Sequence, residues 1–185
     1  LQELEKNINN LKVIVRKDKS GLDTAHKLAF EYAKNNSYEK FISMDADLSH
    51  DPNEIPKMID ILNKSSFVIG SRYIEGGKCE MSSHRLMLSI IGNKFIKKLL
   101  RIDCNEFTTS YRGFNLLKLN EFDLNVVNSK GYSFFMETIY RLNKHGVVIN
   151  EIPIHFRNRR HGSSKIPGIE IFRTLKNLFK LYFEK

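Results

Sequence analysis

Short apolar runs alternate with helix-periodic segments along this chain, and this alternation limits the folds that it can adopt. Strand-like runs are predicted at 11–15, 40–44, 67–70 and 147–156. Apolar residues recur at helical spacing in 22–35, 55–62, 83–100 and 132–143. Strands that alternate with helices pack as an α/β layer on a largely parallel sheet. The 185 residues are therefore predicted to form one α/β core.

The net charge of +9 favours a polyanionic partner. Nucleic acid, an acidic membrane surface and phosphorylated ligands all satisfy that requirement, and biased composition is another source of the many lysines. No apolar run approaches the about 20 residues of a transmembrane helix, and the first ten residues lack the order of a signal peptide. Cys79 and Cys104 have no metal-type spacing, which favours structural roles in a reducing compartment.

The most informative stretch is 44–51, with the sequence MDADLSHD. In an extended backbone Asp45 and Asp47 project to the same side. Paired carboxylates favour Mg²⁺ or Mn²⁺, which usually bridges to phosphate oxygens, and open α/β sheets bind ligands beyond the carboxyl ends of their strands. The alternative is a polar turn in which Asp51 caps the next helix and His50 is solvated, although His50 is also a possible ligand.

The segment after Ile169 is predicted to be an amphipathic helix. Its apolar face carries Phe172, Leu175, Phe179 and Tyr182, and lysines lie on the other side. Such a helix can rest on an anionic membrane surface or pack against the protein core, and the sequence allows both.

Several motifs follow one another in the order found in a known family. They are RKDKSGL (16–22), MDADLSHDP (44–52), GSRY (70–73), HRLMLSIIGN (84–93), EFTTSYRGF (106–114), GYSFFMETI (131–139) and EIPIHFRNRRHGSSK (151–165). Together they resemble the polyprenol-phosphate (dolichol-phosphate) mannosyltransferases of the family 2 glycosyltransferases. The resemblance implies a Rossmann-like GT-A fold at 1–165, followed by the amphipathic C-terminal helix at 166–185. Family members usually begin with a V-I-P-T-Y-N-E-like strand and a strand ending in V-D-D. Both are absent here, so the chain is expected to start after them.

The resemblance also implies roles for residues at the metal and acceptor sites. Asp45 and Asp47 are expected to bind the metal ion and the donor diphosphate, with Ser49 as a further ligand. The positions suited to the phosphate of a lipid acceptor are Arg72, Arg85 and Ser89. A guanidinium independently suits phosphate, because its planar fork donates two hydrogen bonds. On residue type alone, Arg85 is equally compatible with a surface ion pair.

Other motif residues are expected near the donor. The resemblance places Arg112 and Glu137 near the donor sugar, and Glu106 stands where relatives commonly have Asp. A late basic segment is expected to cover the diphosphate through Arg159, Ser164 and Lys165. The residues expected to take part in catalysis are Asp47, Arg72, Arg85, Arg112 and Glu137. Arg112 too is compatible with a surface ion pair.

The implied activity is metal-dependent, inverting transfer of mannose from GDP-mannose to a polyprenyl phosphate. The expected location is cytoplasmic, at the membrane face. One alternative is a related transferase that uses UDP-glucose or UDP-N-acetylglucosamine. Another is a non-catalytic basic module for nucleic acid. Because the arginines lie in separate motifs and no nucleic-acid-binding signature is present, nucleic acid is not expected as a partner.

Overall fold

The structure is a computed structural model that describes residues 2–158 and 168–184. Its helices are α1 (Gln2–Asn7), α2 (Leu22–Asn35), α3 (Ile55–Lys64), α4 (Ser83–Leu100), α5 (Tyr132–Lys144) and α6 (Gly168–Phe183). Its strands are β1 (Lys40–Ser43), β2 (Phe67–Ser71), β3 (Lys78–Cys79), β4 (Arg112–Asn115), β5 (Asn150–Pro153) and β6 (His155–Phe156). Short 3₁₀ turns span Pro52–Glu54 and Leu124–Val126.

The central sheet has the strand order β1-β4-β2-β5. Strand β4 runs antiparallel to both β1 and β2, whereas β2 and β5 are parallel. The predicted α/β class is confirmed, and β1, β2 and β5 share one direction. Strand β4 is the exception to the expected largely parallel arrangement, because it lies antiparallel between β1 and β2. As a result, the carboxyl ends of β1, β2 and β5 meet the amino end of β4 at one edge.

Most predicted elements are present with small changes at their ends. The run 147–156 forms β5 and β6, which are separated by Ile154, and the predicted helices are all found. The predicted cap is confirmed: the Asp51 carboxylate accepts a hydrogen bond from the Asn53 amide at 3.0 Å, ahead of a 3₁₀ turn that leads into α3. Strand β4 was not predicted, because its short RGFN sequence has no apolar alternation of its own.

The predicted buried strand at 11–15 is wrong. This segment has no regular secondary structure, and Ile14 and Val15 are 44% and 69% exposed. The Val13 amide donates to the Glu5 carboxylate instead of to a neighbouring strand. An apolar run becomes a strand only when another strand pairs with it. Within the described residues, β4 is the neighbour recorded for β1, and residues 11–15 pair with no strand.

Strand β2 divides the core into two apolar layers. Its side chains alternate, so Phe67 and Ile69 pack in the cluster covered by α2, α4, α5 and α6. Val68 faces the opposite cluster with Leu62 of α3. Gly113 of β4 allows α3 to lie close to the sheet, because a Cβ there would come within 2.8 Å of the Leu62 side chain.

Helix α6 packs against the protein through one face. Leu178 and Leu181 are buried in the same cluster as residues of α4 and α5, so core packing accounts for that face. Phe172 and Phe183 are 71% and 78% exposed on the same helix. The division into 1–165 and 166–185 stays a prediction. None of the helices in the described ranges has the length and apolar character of a membrane span.

Candidate active site

Several chain segments meet at the edge where β1, β2 and β5 end and β4 begins. Asp45 lies two residues after β1, Arg72 follows β2 directly, and residues 106–111 lead into β4. Hydrogen bonds connect these segments, since Ser110 binds Asp45 and Glu106 binds Arg72. Ligands of open α/β sheets bind at such an edge. We therefore take it as the candidate active site.

The two acidic residues lie beyond the end of the strand, and Asp47 lies in a run of bends. Strand β1 ends at Ser43, so the prediction that alternation brings Asp45 and Asp47 to one side rests on an extended backbone that is absent here. Neighbouring hydroxyls orient their carboxylates. The Ser110 hydroxyl donates to Asp45 Oδ1 at 2.7 Å, and the Ser49 amide and hydroxyl donate to Asp47 Oδ1 at 3.0 and 2.5 Å. Both acidic side chains are half-buried.

Ser49, the third expected metal ligand, is fully buried. Its hydroxyl donates to the Asp47 carboxylate, which orients that carboxylate. Its role as a direct ligand stays a prediction.

The acidic loop comprises residues 44–50, and His50 is its last residue. The His50 side chain is only 2% exposed, so it is not a solvated loop residue. Its Nδ1 accepts a hydrogen bond from the Asp45 amide at 3.0 Å, and its Nε2 lies 3.3 Å from the Thr109 hydroxyl. Burial lowers the pKa of His50, while the charges of Asp45 and Asp47 act in the opposite direction.

Arg72 is fixed beside this loop by a buried carboxylate. Its Nε and Nη2 donate to the two Glu106 oxygens at 2.7 and 2.9 Å, and Nη2 also donates to Thr108. The guanidinium carbon lies 4.9 Å from the Tyr73 ring centre and 5.0 Å from that of Phe156. Burial opposes charge on both partners, but their mutual attraction prevails: the pKa of Glu106 is lowered and that of Arg72 is raised.

A cavity of about 320 Å³ opens between Arg72 and α4. Its lining combines cationic and apolar side chains, among them Arg72, Ile74, Leu86, Ile90, Lys94 and Lys97. The Tyr73 hydroxyl, on the same cavity wall, lies 2.7 Å from the Ser89 hydroxyl. Two of the residues expected at the acceptor phosphate, Arg72 and Ser89, are thus brought close together. Arg85 lies exposed in the first turn of α4.

Arg112 lies inside the protein, not on its surface, so the surface ion-pair alternative is wrong for this residue. It is 2% exposed, and its guanidinium donates to the backbone carbonyls of Thr109, Phe135 and Phe107 at 2.7, 2.7 and 3.0 Å. Burial lowers the pKa of Arg112 to about 9. These bonds hold the segment before β4, which contacts the acidic loop. A role near the donor sugar stays a prediction.

Glu137 is found at the contact between α5 and α6. Its carboxylate accepts from the Ser129 amide at 2.8 Å and from Arg141 at 2.8 and 3.1 Å, and Arg141 also pairs with Glu184. Burial alone would raise the pKa of Glu137, but the bonds from Ser129 and Arg141 lower it. The hydrogen bonds of Glu137 therefore hold the loop before α5 and orient Arg141, which pairs with Glu184 just after α6; they do not reach the acidic loop.

Arg157 is a cation at the site that the sequence did not single out. Its amide donates to the Ser49 carbonyl at 3.1 Å, and its guanidinium donates to Asp51 Oδ2 at 2.8 Å. Arg157, two residues before the late basic segment, therefore lies against the acidic loop. The three residues of that segment expected at the diphosphate, Arg159, Ser164 and Lys165, lie outside the described residues.

The carboxylate side chains at this edge suit a divalent ion that binds together with a phosphorylated substrate. In residues 2–158 and 168–184, no three His, Cys, Asp or Glu side chains form a group that could hold a metal ion. Mg²⁺ is commonly bound by one or two carboxylates while substrate phosphates and water complete its shell. Asp45 and Asp47, half-buried on one loop, fit that arrangement.

The sequence places this fold and site in a defined family. The profile of glycosyl transferase family 2 matches residues 1–122, and the chain belongs to this family. The predicted family is confirmed.

Three curated relatives have names that agree with the motifs. The chain is 33% identical over 157 residues to the undecaprenyl-phosphate mannosyltransferase of Micrococcus luteus, covering 84% of this chain and 65% of the relative. It is 34% identical to the polyprenol monophosphomannose synthase of Mycolicibacterium smegmatis, covering 86% and 61%. It is 33% identical to the dolichol-phosphate mannosyltransferase of Pyrococcus furiosus, covering 92% and 47%. The chain therefore spans about half to two thirds of the length of these relatives.

Solved structures support the fold. Glucosyl-3-phosphoglycerate synthase from Mycobacterium tuberculosis, in complex with phosphoglyceric acid, superposes with a TM-score of 0.58 at 12% identity, covering 97% of this chain and 58% of that chain. The same enzyme in complex with Mn²⁺ and UDP-glucose gives 0.56 at 13% identity, covering 94% and 58%. The GT-A-type fold expected from the sequence is confirmed.

Proposed function

We propose that this chain is part of an inverting glycosyltransferase. The enzyme would transfer a sugar from a nucleotide diphosphate-sugar to a polyprenyl phosphate in the presence of Mg²⁺ or Mn²⁺. GDP-mannose is the proposed donor and mannose the transferred sugar, because the named relatives at 33–34% identity are mannosyltransferases or a phosphomannose synthase. The main supporting observation is the half-buried pair Asp45 and Asp47, which shares one sheet edge with Arg72.

In this proposal, Asp45 and Asp47 bind the ion and, through it, the donor diphosphate. When bound, a divalent cation supplies charge neutralisation for the leaving diphosphate. Ser110 and Ser49 orient the two carboxylates before the donor arrives, and such preorganisation lowers the cost of binding a charged group. Arg157, whose amide donates to the Ser49 carbonyl of the acidic loop, adds a cation beside the same ligand.

The acceptor phosphate is proposed to bind at the mouth of the cavity beside Arg72. A phosphate oxygen is already anionic near neutral pH, so alignment matters more than a strong general base. Arg72 keeps its positive charge and a fixed orientation. Lys94 and Lys97 add positive charge on the same cavity, and apolar residues such as Ile90 suit the first isoprene units.

We also propose that α4 and α6 rest on an anionic membrane face. The two helices contact each other and expose apolar side chains, namely Met87, Leu88, Ile91, Phe95, Ile171, Phe172, Leu175, Phe179 and Phe183. Exposed lysines accompany these residues on both helices: Lys94, Lys98, Lys176 and Lys180. Apolar contact together with lysines is the pattern that binds anionic lipid surfaces. Flotation with phosphatidylglycerol vesicles tests this, and absence of co-migration would refute it.

The central experiment removes one metal-binding carboxylate. Asp47→Ala is expected to reduce sugar transfer by at least about 100-fold, because the ion loses a ligand next to the leaving group. The assay measures transfer from GDP-mannose or UDP-glucose to a polyprenyl phosphate with Mg²⁺, Mn²⁺ or a chelator. Asp60→Ala, at an exposed carboxylate of α3, is the matched control and should keep full activity. Undiminished transfer by Asp47→Ala, or in the chelator, would refute metal-dependent transfer through this pair.

A further inference from the structure

The acidic loop keeps its shape although β1 ends at Ser43, before the loop begins. Residues 44–50 have no regular secondary structure, with bends at 46–50, and Leu48 adopts a left-handed backbone conformation with φ 67°. Such a loop lacks the ladder of hydrogen bonds that fixes a strand. Other groups must therefore hold Asp45 in place.

His50 binds the backbone of Asp45 directly. Because Nδ1 accepts the Asp45 amide hydrogen at 3.0 Å, that nitrogen carries no proton, and the ring proton lies on Nε2, which is 3.3 Å from the Thr109 hydroxyl. The imidazole thus links the acidic loop to the segment that precedes β4. The same segment supplies Ser110, whose hydroxyl binds the Asp45 carboxylate.

Packing leaves the imidazole little freedom to turn. It lies between aromatic rings, with centroid distances of 4.9 Å to Tyr111 and 5.4 Å to Phe156, and it is nearly excluded from solvent. The Tyr111 hydroxyl in turn donates to the Asp51 carbonyl at 2.9 Å. The His50 imidazole is therefore a rigid support for the acidic loop and not a metal ligand on the surface of the loop.

From this geometry we infer that His50 is a positioning residue of the metal site. It holds the Asp45 main chain through Nδ1, so that the Asp45 carboxylate meets the divalent ion in a fixed orientation. The inference rests on the proposed function, because it takes Asp45 as a metal-binding carboxylate. Partners that orient ligating groups typically change metal affinity by about 10–100-fold when they are removed.

Two substitutions separate the hydrogen bond from the packing of the ring. In His50→Asn the amide oxygen can occupy the place of Nδ1, whereas in His50→Gln the longer side chain places it near Nε2. His50→Gln is expected to weaken Mn²⁺ binding about 10–100-fold, and His50→Asn is expected to stay close to wild type. Mn²⁺ affinity is measured by electron paramagnetic resonance of the free ion, with GDP-mannose present. Equal losses in both variants would overturn the inference, since they would indicate a packing role alone.

A second measurement needs no metal and no activity. Amide hydrogen exchange by NMR should show a protected Asp45 amide in wild type and in His50→Asn, but a faster-exchanging one in His50→Gln. Nitrogen-15 shifts of His50 should report the proton on Nε2. A rapidly exchanging Asp45 amide in wild type, or a proton on Nδ1, would overturn the inference.

The two possible failures are distinguishable. If wild type binds no Mn²⁺ with any nucleotide-sugar, the proposed metal-dependent function falls, together with the metal role of His50. If wild type binds Mn²⁺ and His50→Gln binds it equally well, only the role of His50 falls.

Discussion

Arg72 and Arg112 both donate hydrogen bonds to the segment 106–111, but their charges are stabilised differently. Arg72 pairs with the fully buried Glu106, and its pKa is raised. Arg112 donates to the carbonyls of Phe107, Thr109 and Phe135, and burial lowers its pKa to about 9. One arginine has a countercharge and borders a cavity, whereas the other has backbone dipoles and lies in the interior.

The two environments of these arginines have different physical consequences. Partial charges on carbonyls fix the geometry of a loop but compensate a buried cation only in part. A carboxylate maintains the full charge, which a phosphate-binding group requires. We therefore expect Arg112 to determine mainly stability and Arg72 to determine mainly acceptor binding.

The largest effect is expected from Arg112→Met. It would leave three buried carbonyls without their Arg112 donors, each costing about 1–3 kcal/mol, so the free energy of unfolding should fall by at least about 3 kcal/mol. Urea denaturation followed by circular dichroism measures this loss. Arg157→Met is the matched control, because its ion pair with Asp51 is half-exposed and should contribute under about 1 kcal/mol. Similar losses in the two variants would contradict the internal role of Arg112.

Glu106→Gln is expected to have the next largest effect, because it leaves the buried Arg72 without its countercharge. Breaking such a pair typically costs about 3–5 kcal/mol. Since the pKa of Glu106 is lowered in the folded state, its contribution is fully present above the ordinary glutamate pKa of about 4.3. It is lost as the pH falls through the lowered folded-state value. Wild type should therefore approach the variant in stability at acid pH, and unfolding curves that stay equally far apart from pH 7 to pH 3 would contradict this.

Arg72→Lys is expected to have the smallest effect of the three, and it acts on kinetics. Lysine keeps the charge but loses the two-pronged contact with Glu106 and any paired contact with phosphate. The KM for the polyprenyl phosphate should rise about tenfold, which corresponds to about 1.4 kcal/mol, while the KM for the nucleotide-sugar should change little. Lys118→Arg, distant in sequence and bonded to the Asn63 carbonyl, is a neutral control. An equal change in both KM values would remove the assignment of Arg72 to the acceptor.

Local patterns predicted most of the elements, while pairing in the sheet depended on distant residues. The capped entry to α3 and the amphipathic α6 follow from residues a few positions apart, which is why the sequence indicated them. The strand at 11–15 was predicted wrongly, and β4 was missed, because each depends on whether another strand lies beside it. The acidic pair was recognised from its motif, but the supports His50 and Ser110 were not.

Residue order alone indicates the family, the alternation of strands and helices, and the position of the acidic pair just after β1. These properties depend on residue order over short distances, which side-chain periodicity and turn chemistry encode. Tertiary packing, in contrast, puts Arg112 in the interior, pairs Glu106 with Arg72, and brings His50 and Ser110 to Asp45. Those contacts join groups between 3 and 65 positions apart in the chain. Their geometry exists only once the sheet brings the strand ends together.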